Sequence, residues 1–233
     1  MISFRLLKIP VTVRPSFLLI AALLGLSAAR VSLVFAWIAV VFVSILLHEM
    51  GHALTARAFG SEVEIELNAI GGLTSWTVPE KEFGPGRRAV VAAAGSGVGV
   101  VFGGLVWLVA SLTGPYFGLA GFVVNNLVYV NLFWGLLNWL PIRPLDGGHL
   151  FSSLLEKFAP RRGETIANVV FMITAAAGLT AALYFGLTFV ALLAGWLLFG
   201  ELTKGRPRRP QVPIPPMSFD RPPPDPEPEE VDG

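Results

Sequence analysis

The stretch AVVAAAGSGVGVVFGGLVWLVASLTGPYFGLAGFVVNNLVYVNLFWGLLNWLPI, residues 89–142, runs for 54 positions without an Asp, Glu, Lys or Arg. A helix that crosses a bilayer needs ~20 apolar residues at ~1.5 Å rise each. The stretch therefore predicts two spans, with the turn at Thr113-Gly114-Pro115. A second uncharged run, Thr165 to Gly200, holds 36 residues and predicts another pair that turns near Gly186. Residues 15–29 lie uncharged between Arg14 and Arg30, and residues 31–47 lead without charge into His48. Six spans follow, at roughly 15–30, 33–58, 88–112, 117–140, 165–184 and 187–203. The expected fold class is an all-α polytopic membrane protein.

Composition agrees. Of 233 residues, 54% are hydrophobic and 14% charged, against about 25% charged in an ordinary soluble domain. The net charge of +1 gives no reason to expect nucleic acid as a partner. Cysteine is absent, which removes disulfides, thiolate metal sites and cysteine nucleophiles together.

The cations are informative by position. Counted on alternate connections between the six spans, 16 of the 17 Lys and Arg fall on one side and only Arg30 on the other. The positive-inside rule then puts both termini in the cytoplasm of a multi-pass cell-membrane protein. Arg5, Lys8 and the small residues Ser27-Ala28-Ala29 imitate a cleavable leader. The apolar run is long for one and begins late, so the first span is expected to be retained. Beyond Lys204 the chain turns to RPRRPQVPIPPMSFDRPPPDPEPEEVDG, which has little to bury. The expected organisation is a membrane domain over 1–203, with its core at 33–150, and a Pro-rich disordered cytosolic tail over 204–233.

Within the second span stands LLHEMGHAL, Leu46 to Leu54. Residues four apart share a helix face, so His48 and His52 can address one metal ion while Glu49 reaches a water beside it. This is the HExxH zinc pattern, with Glu49 as general base. The plainer alternative is a histidine pair hydrogen-bonded inside the bundle. Ionisable groups in hydrocarbon cost ~2.5–3.5 kcal/mol at a helix centre and usually mark function, and two of the chain's three histidines fall here.

A catalytic zinc site takes three protein ligands and a water. Glu62, Glu64 and Glu66 alternate with Val63, Ile65 and Leu67 and read as a strand with one wet face. The better third candidate is Asp146 in NWLPIRPLDGGHL, Asn138 to Leu150, where two prolines break the fourth span and Gly147-Gly148 permits non-helical backbone. Unwound backbone at membrane depth survives where it lines a protein or water cavity.

HEMGH followed by NWLPIRPLDGG resembles the site-2 protease family of intramembrane zinc metalloproteases, over approximately residues 10–150. The resemblance implies one catalytic Zn²⁺ held by His48, His52 and Asp146, with Glu49 as general base. Asn138 matches the family asparagine that positions or stabilises the reacting carbonyl, and a capping or interhelical hydrogen bond is the other reading of it. His149 is expected to be solvated rather than a ligand. Ala94-Gly95-Ser96-Gly97 stands where many relatives have Gly-Pro, so no role for that proline carries over. The 60–87 connection is too short for a PDZ domain and no CBS pair follows, as in a minimal member.

The resemblance implies hydrolysis of peptide bonds in or near the transmembrane helices of single-span membrane proteins, including ones first cut by another protease. Counting ~1.5 Å per residue, His48 and His52 lie ~15 Å from the cytosolic end of their span, in the cytosolic half of the bilayer. Residues 62–78, EVEIELNAIGGLTSWTV, alternate by twos and turn at Gly71-Gly72. They predict a small β-hairpin between the second and third spans, whose edge is available to an extended substrate; a plain cytosolic loop is the other reading, and the resemblance implies that the hairpin is membrane-associated and lies near the active site. The competing classes are a metal-binding membrane transporter and a non-catalytic relative that binds transmembrane helices. Transport predicts polar residues spread along a pathway, whereas here they gather at one depth. A silent binder is expected to lack Glu49 or a ligand. A serine-protease reading on Ser96 and His149 lacks a nucleophile motif.

Overall fold

The computed structural model describes residues 1–26, 30–77 and 84–203. Ser27-Ala28-Ala29, Val78, Lys81 and the whole 204–233 tail lie outside the described residues. The chain opens with two strands, β1 (Ile2–Leu6) and β2 (Ile9–Val13), and a helix α1 (Pro15–Gly25). The long helix α2 (Val31–Ala58) follows, then strands β3 (Val63–Asn68) and β4 (Gly71–Trp76) and helix α3 (Pro85–Thr113). Helix α4 (Gly118–Tyr129) runs through a π-helical turn (Val130–Trp134) into α5 (Gly135–Asn138). After a loop come α6 (Asp146–Phe158), α7 (Gly163–Tyr184) and α8 (Thr188–Leu202).

Among the described residues, four helical segments are long and apolar enough to cross a membrane: Val31–Ala58, Pro85–Thr113, Gly118–Asn138 and Gly163–Tyr184. They match the second to fifth expected spans. The segments expected to form the first and sixth are shorter, with 11 residues in α1 and 15 in α8. At 1.5 Å per residue these reach only about 16 and 22 Å. Proline starts both α1 and α3, where its missing N–H costs no hydrogen bond. Leu105, Trp107, Leu108, Val109 and Leu112 of α3, and Ile173 and Leu183 of α7, stay exposed, as side chains that face hydrocarbon do.

The expectation of an all-α chain with one hairpin needs enlarging, because the described residues form a four-stranded sheet in the order β1-β2-β3-β4. β2 pairs in parallel with β3, Val11 opposite Ile65, and the outer pairs are antiparallel. The β1–β2 hairpin turns on Leu7 and Lys8, both with positive φ, which suits the right-handed twist of its strands. Ile9, Val11 and Val13 of β2 and Val63, Ile65 and Leu67 of β3 are buried in one cluster with Phe17, Met50, Ala53 and Ala56. That burial presses the sheet onto the half of α2 that carries the histidines. The wet face of β3 behaves as expected, with Arg14 bonding Glu66 at 2.7 Å. The hydrogen bond from Arg14 holds the Glu66 carboxyl below the usual carboxylate range.

The β3–β4 turn falls on Ala69 and Ile70, not on Gly71-Gly72, which belong to β4. The Asn68 side chain accepts the Ile70 N–H at 2.9 Å, an Asx turn, and Gly71 leaves it at a φ of +136° that favours glycine. Gly72 serves close approach instead, since a Cβ there would collide with the Glu49 carboxylate. A similar correction holds at Gly147-Gly148. Both residues are helical within α6, and a Cβ on Gly147 would strike the backbone of Trp139 and Leu140. A Cβ on Gly148 would lie 2.7 Å from the Ile142 carbonyl. The glycines let α6 fold back against the loop that precedes it.

Candidate metal centre

His48 and Glu49 stand one turn before His52 on α2, where it crosses α3. The crossing is tight, because a Cβ on Gly51 would lie 2.6 Å from the Ala94 carbonyl oxygen and one on Gly95 would overlap the His52 ring. The ring thus fills the notch that Gly95 leaves in α3. Gly103 has the same relation to Asn131, at 2.9 Å from its Cβ, which gives part of the glycine-rich third span a packing role.

Asp146 arrives by a different route. In the π-helical turn, Asn131 donates to Ser44 Oγ at 2.8 Å, tying this helix to α2 one turn before His48. Four residues later α5 begins, and it ends at Asn138. The chain then leaves the helix through Pro141 and Pro144, and Asp146 stands at the first position of α6. Prolines supply no N–H to continue a helix.

The three expected ligands meet. The distance from Asp146 Oδ2 is 3.1 Å to His48 Nε2 and 3.2 Å to His52 Nε2, and the two Nε2 atoms are 3.2 Å apart. Bonds of ~2.0–2.1 Å to a tetrahedral zinc separate neighbouring donor atoms by roughly 3.3 Å, so the triangle has the size of one face of such a site. Among the described residues these three form the one group of His, Asp and Glu side chains placed to share a metal ion. The orientation of His52 fits as well. Its Nδ1 lies 2.7 Å from the Val91 carbonyl oxygen, which can only accept, so Nδ1 carries the proton and Nε2 of the neutral ring keeps a lone pair.

Around the triangle stand several donors. Asn138 Nδ2 donates to Asp146 Oδ2 at 2.9 Å and lies 3.3 Å from His48 Nε2. Ser96, 0% exposed, donates to the same carboxylate oxygen at 3.1 Å. Glu49 is outside the triangle and buried, and its Oε2 accepts a hydrogen bond from Thr74 Oγ1 of β4 at 2.6 Å. His149 is exposed and absent from the group.

Thr74, Ser96, Gly95 and the Val91 carbonyl were not singled out from the sequence as parts of a metal site. Three of them lie on α3, on the face that meets α2, and only the serine gives a signal: a hydroxyl within a long uncharged span must find a partner. Thr74 gives no signal, because a threonine in a strand needs no special reason.

Comparison with known proteins places these features in a context. Residues 116–181 match the family model described as peptidase family M50. A zinc metalloprotease of Methanocaldococcus jannaschii is 31% identical over 160 residues, covering 66% of this chain and 45% of the relative. A candidate zinc metalloprotease of Synechocystis sp. is 34% identical over 177 residues, covering 69% of this chain and 45% of the relative. The chain thus spans less than half the length of these curated relatives. The fold is similar to that of a solved site-2 protease from Methanocaldococcus jannaschii, with a TM-score of 0.59 and 23% identity over 91% of this chain and 98% of that one.

Proposed function

From the premise that the chain belongs to peptidase family M50, the site-2 protease family, we propose that it is an intramembrane zinc endopeptidase acting on membrane-anchored substrates. The observation that carries the proposal is the convergence of His48, His52 and Asp146 from α2 and α6 onto one point, at donor separations of 3.1–3.2 Å. These residues would hold the ion. A zinc ion in such a site supplies Lewis acidity to a carbonyl oxygen and lowers the pKa of water toward ~7.

The remaining steps belong to the chain's own side chains. Glu49 takes the proton from the attacking water and returns it to the departing amide nitrogen. The Thr74 hydroxyl aims the Glu49 carboxylate, which is buried away from bulk water. Asn138, with its amide at the triangle, positions Asp146 and offers a donor to oxygen charge that builds during the reaction.

A helical substrate hides its carbonyls in its own hydrogen bonds and must unwind before it is cut. β4 is an edge strand of the sheet, and its Thr74 touches Glu49. An extended substrate segment that pairs with β4 would lie beside the base. The preferred substrates are accordingly single-span membrane proteins, including those released by an earlier cut.

The cation distribution favours six spans, both termini in the cytoplasm and the metal centre in the cytosolic half of the bilayer. Residues 1–203 would form the membrane domain and 204–233 a cytosolic tail.

The test uses purified full-length protein in detergent with a single-span reporter substrate. Cleavage is expected to stop when a chelator removes the metal and to return on adding about one equivalent of zinc per chain. Full cleavage by protein shown to be free of metal would overturn the proposal.

A further inference from the structure

The loop that delivers Asp146 is held from the side of α7 and α8, which contribute no candidate ligand. Arg143 precedes Asp146 by three residues, and its guanidinium makes three contacts with these helices. One Nη donates to Asn168 Oδ1 on α7. The guanidinium carbon lies 4.6 Å from the ring centroid of Phe171, also on α7 and 0% exposed. Nε stands 4.0 Å from Oε1 of Glu201 on α8.

Glu201 is a buried carboxylate near the end of TFVALLAGWLLFGEL, a helix that holds no other charge. Packing alone does not call for it, because a buried charge is costly unless a partner answers it. The cation facing it is Arg143, whose side chain is 31% exposed, and fixing one arrangement among several is the best-attested use of such a pairing. Here the arrangement in question is that of the 139–145 loop.

The segment between Arg143 and Asp146 is stiff enough to transmit a displacement. Leu145 N–H donates to the Ile142 carbonyl at 2.9 Å, and the Leu145 carbonyl accepts from Gly148 N–H at 2.9 Å. Pro144 sits inside this turn with its φ restrained by the ring. Gly148 closes on the same turn so tightly that a Cβ would lie 2.9 Å from Arg143 N. At its other end α6 is tied to α3 by Arg88 and Glu156 at 2.5 Å.

We propose that Arg143 is a positioning residue which, through Asn168, Phe171 and Glu201, pins the Asp146 loop to α7 and α8 and so makes zinc affinity depend on helices outside the ligand set. The inference rests on the reading of His48, His52 and Asp146 as zinc ligands. Arg143 is not one of the three candidate ligands.

The experiment measures zinc affinity of the purified full chain by competition with a fluorescent chelator, using Zn²⁺ alone as the probe. Arg143→Gln is expected to weaken binding by ~10–100-fold, the usual cost of losing an outer-shell support. Glu201→Gln should weaken it less, the double variant no more than Arg143→Gln alone, and Arg143→Lys should fall between. In metal-free protein, amide exchange over 139–148 should quicken in Arg143→Gln. Wild-type zinc affinity in folded Arg143→Gln and Glu201→Gln would overturn the inference. If Arg143→Gln does not fold, Glu201→Gln and Asn168→Ala decide, and unchanged affinity in both overturns it. Asp146→Ala, run beside them, separates the two levels: wild-type zinc binding in that variant sinks the ligand reading itself.

Discussion

Glu49→Gln is expected to keep its zinc and lose its cleavage. Gln has nearly the shape of Glu, so the burial of residue 49 against β4 and its hydrogen bond with Thr74 survive, with the amide oxygen accepting where the carboxylate did. What disappears is a group able to take a proton. General acid–base catalysis contributes ~10²–10⁴-fold, and here one residue would act first as base and then as acid. Turnover should therefore fall by about 10³-fold or more. Zinc content should remain at the wild-type level because the triangle of His48, His52 and Asp146 excludes Glu49. Metal analysis and a gel assay of a single-span substrate, performed on one preparation, check both halves. Cleavage at the wild-type rate would remove Glu49 from the mechanism, and loss of zinc would make it a structural support of the site.

Asp146→Ala carries the second large effect, on the metal itself. The substitution deletes the one oxygen donor and leaves two imidazoles, 3.2 Å apart, with no third protein ligand. Losing an outer-shell partner typically costs ~10–100-fold in metal affinity, so losing a direct donor should cost on the order of 10³-fold. The Ser96 hydroxyl and the Asn138 amide also lose their shared acceptor. A buried donor left without a partner costs about 1–3 kcal/mol. Part of any loss of stability in Asp146→Ala therefore comes from this pair rather than from the absent metal. Dialysis followed by metal analysis measures the first effect. Thermal unfolding with and without excess Zn²⁺ separates the second, since the metal-free comparison isolates the hydrogen bonds. Zinc retained by Asp146→Ala at the wild-type ratio would show that the aspartate is not a ligand.

The candidate metal centre is more legible in the sequence than the surroundings that shape it. His48 and His52 are four apart on one helix, and Asp146 follows a proline-broken span. Ionisable groups at that depth have few alternatives to meeting one another, so the burden of burial itself made them readable. The sheet was less so. Residues 2–13 pair with 63–76 through a parallel contact between segments about fifty residues apart, and no local spacing announces a pairing over that distance. Gly71-Gly72 were mistaken for a turn and Gly147-Gly148 for unwound backbone by the same cause. A glycine looks alike in sequence whether it serves a turn or a close approach, and only the Glu49 side chain opposite Gly72 and the Trp139 backbone opposite Gly147 decide which.

α7 and α8 show the opposite limit. In sequence they are apolar filler that adds little to the motif region, and Arg143 is one cation among those assigned to the cytosolic side. Its contacts with Asn168, Phe171 and Glu201 bring together residues from three separate segments, and nothing in their spacing announces the cluster. The same holds for Thr74 and Glu49. Side chains that orient other side chains leave weak local signals, because their partners are chosen by the fold.

The most direct measurement is zinc K-edge X-ray absorption on the purified, full-length protein with one equivalent of metal. The account predicts a shell of nitrogen and oxygen donors at ~2.0–2.1 Å, scattering from two imidazoles, and loss of this spectrum in Asp146→Ala. A spectrum with fewer than two imidazoles, or one that Asp146→Ala leaves unchanged, would contradict it.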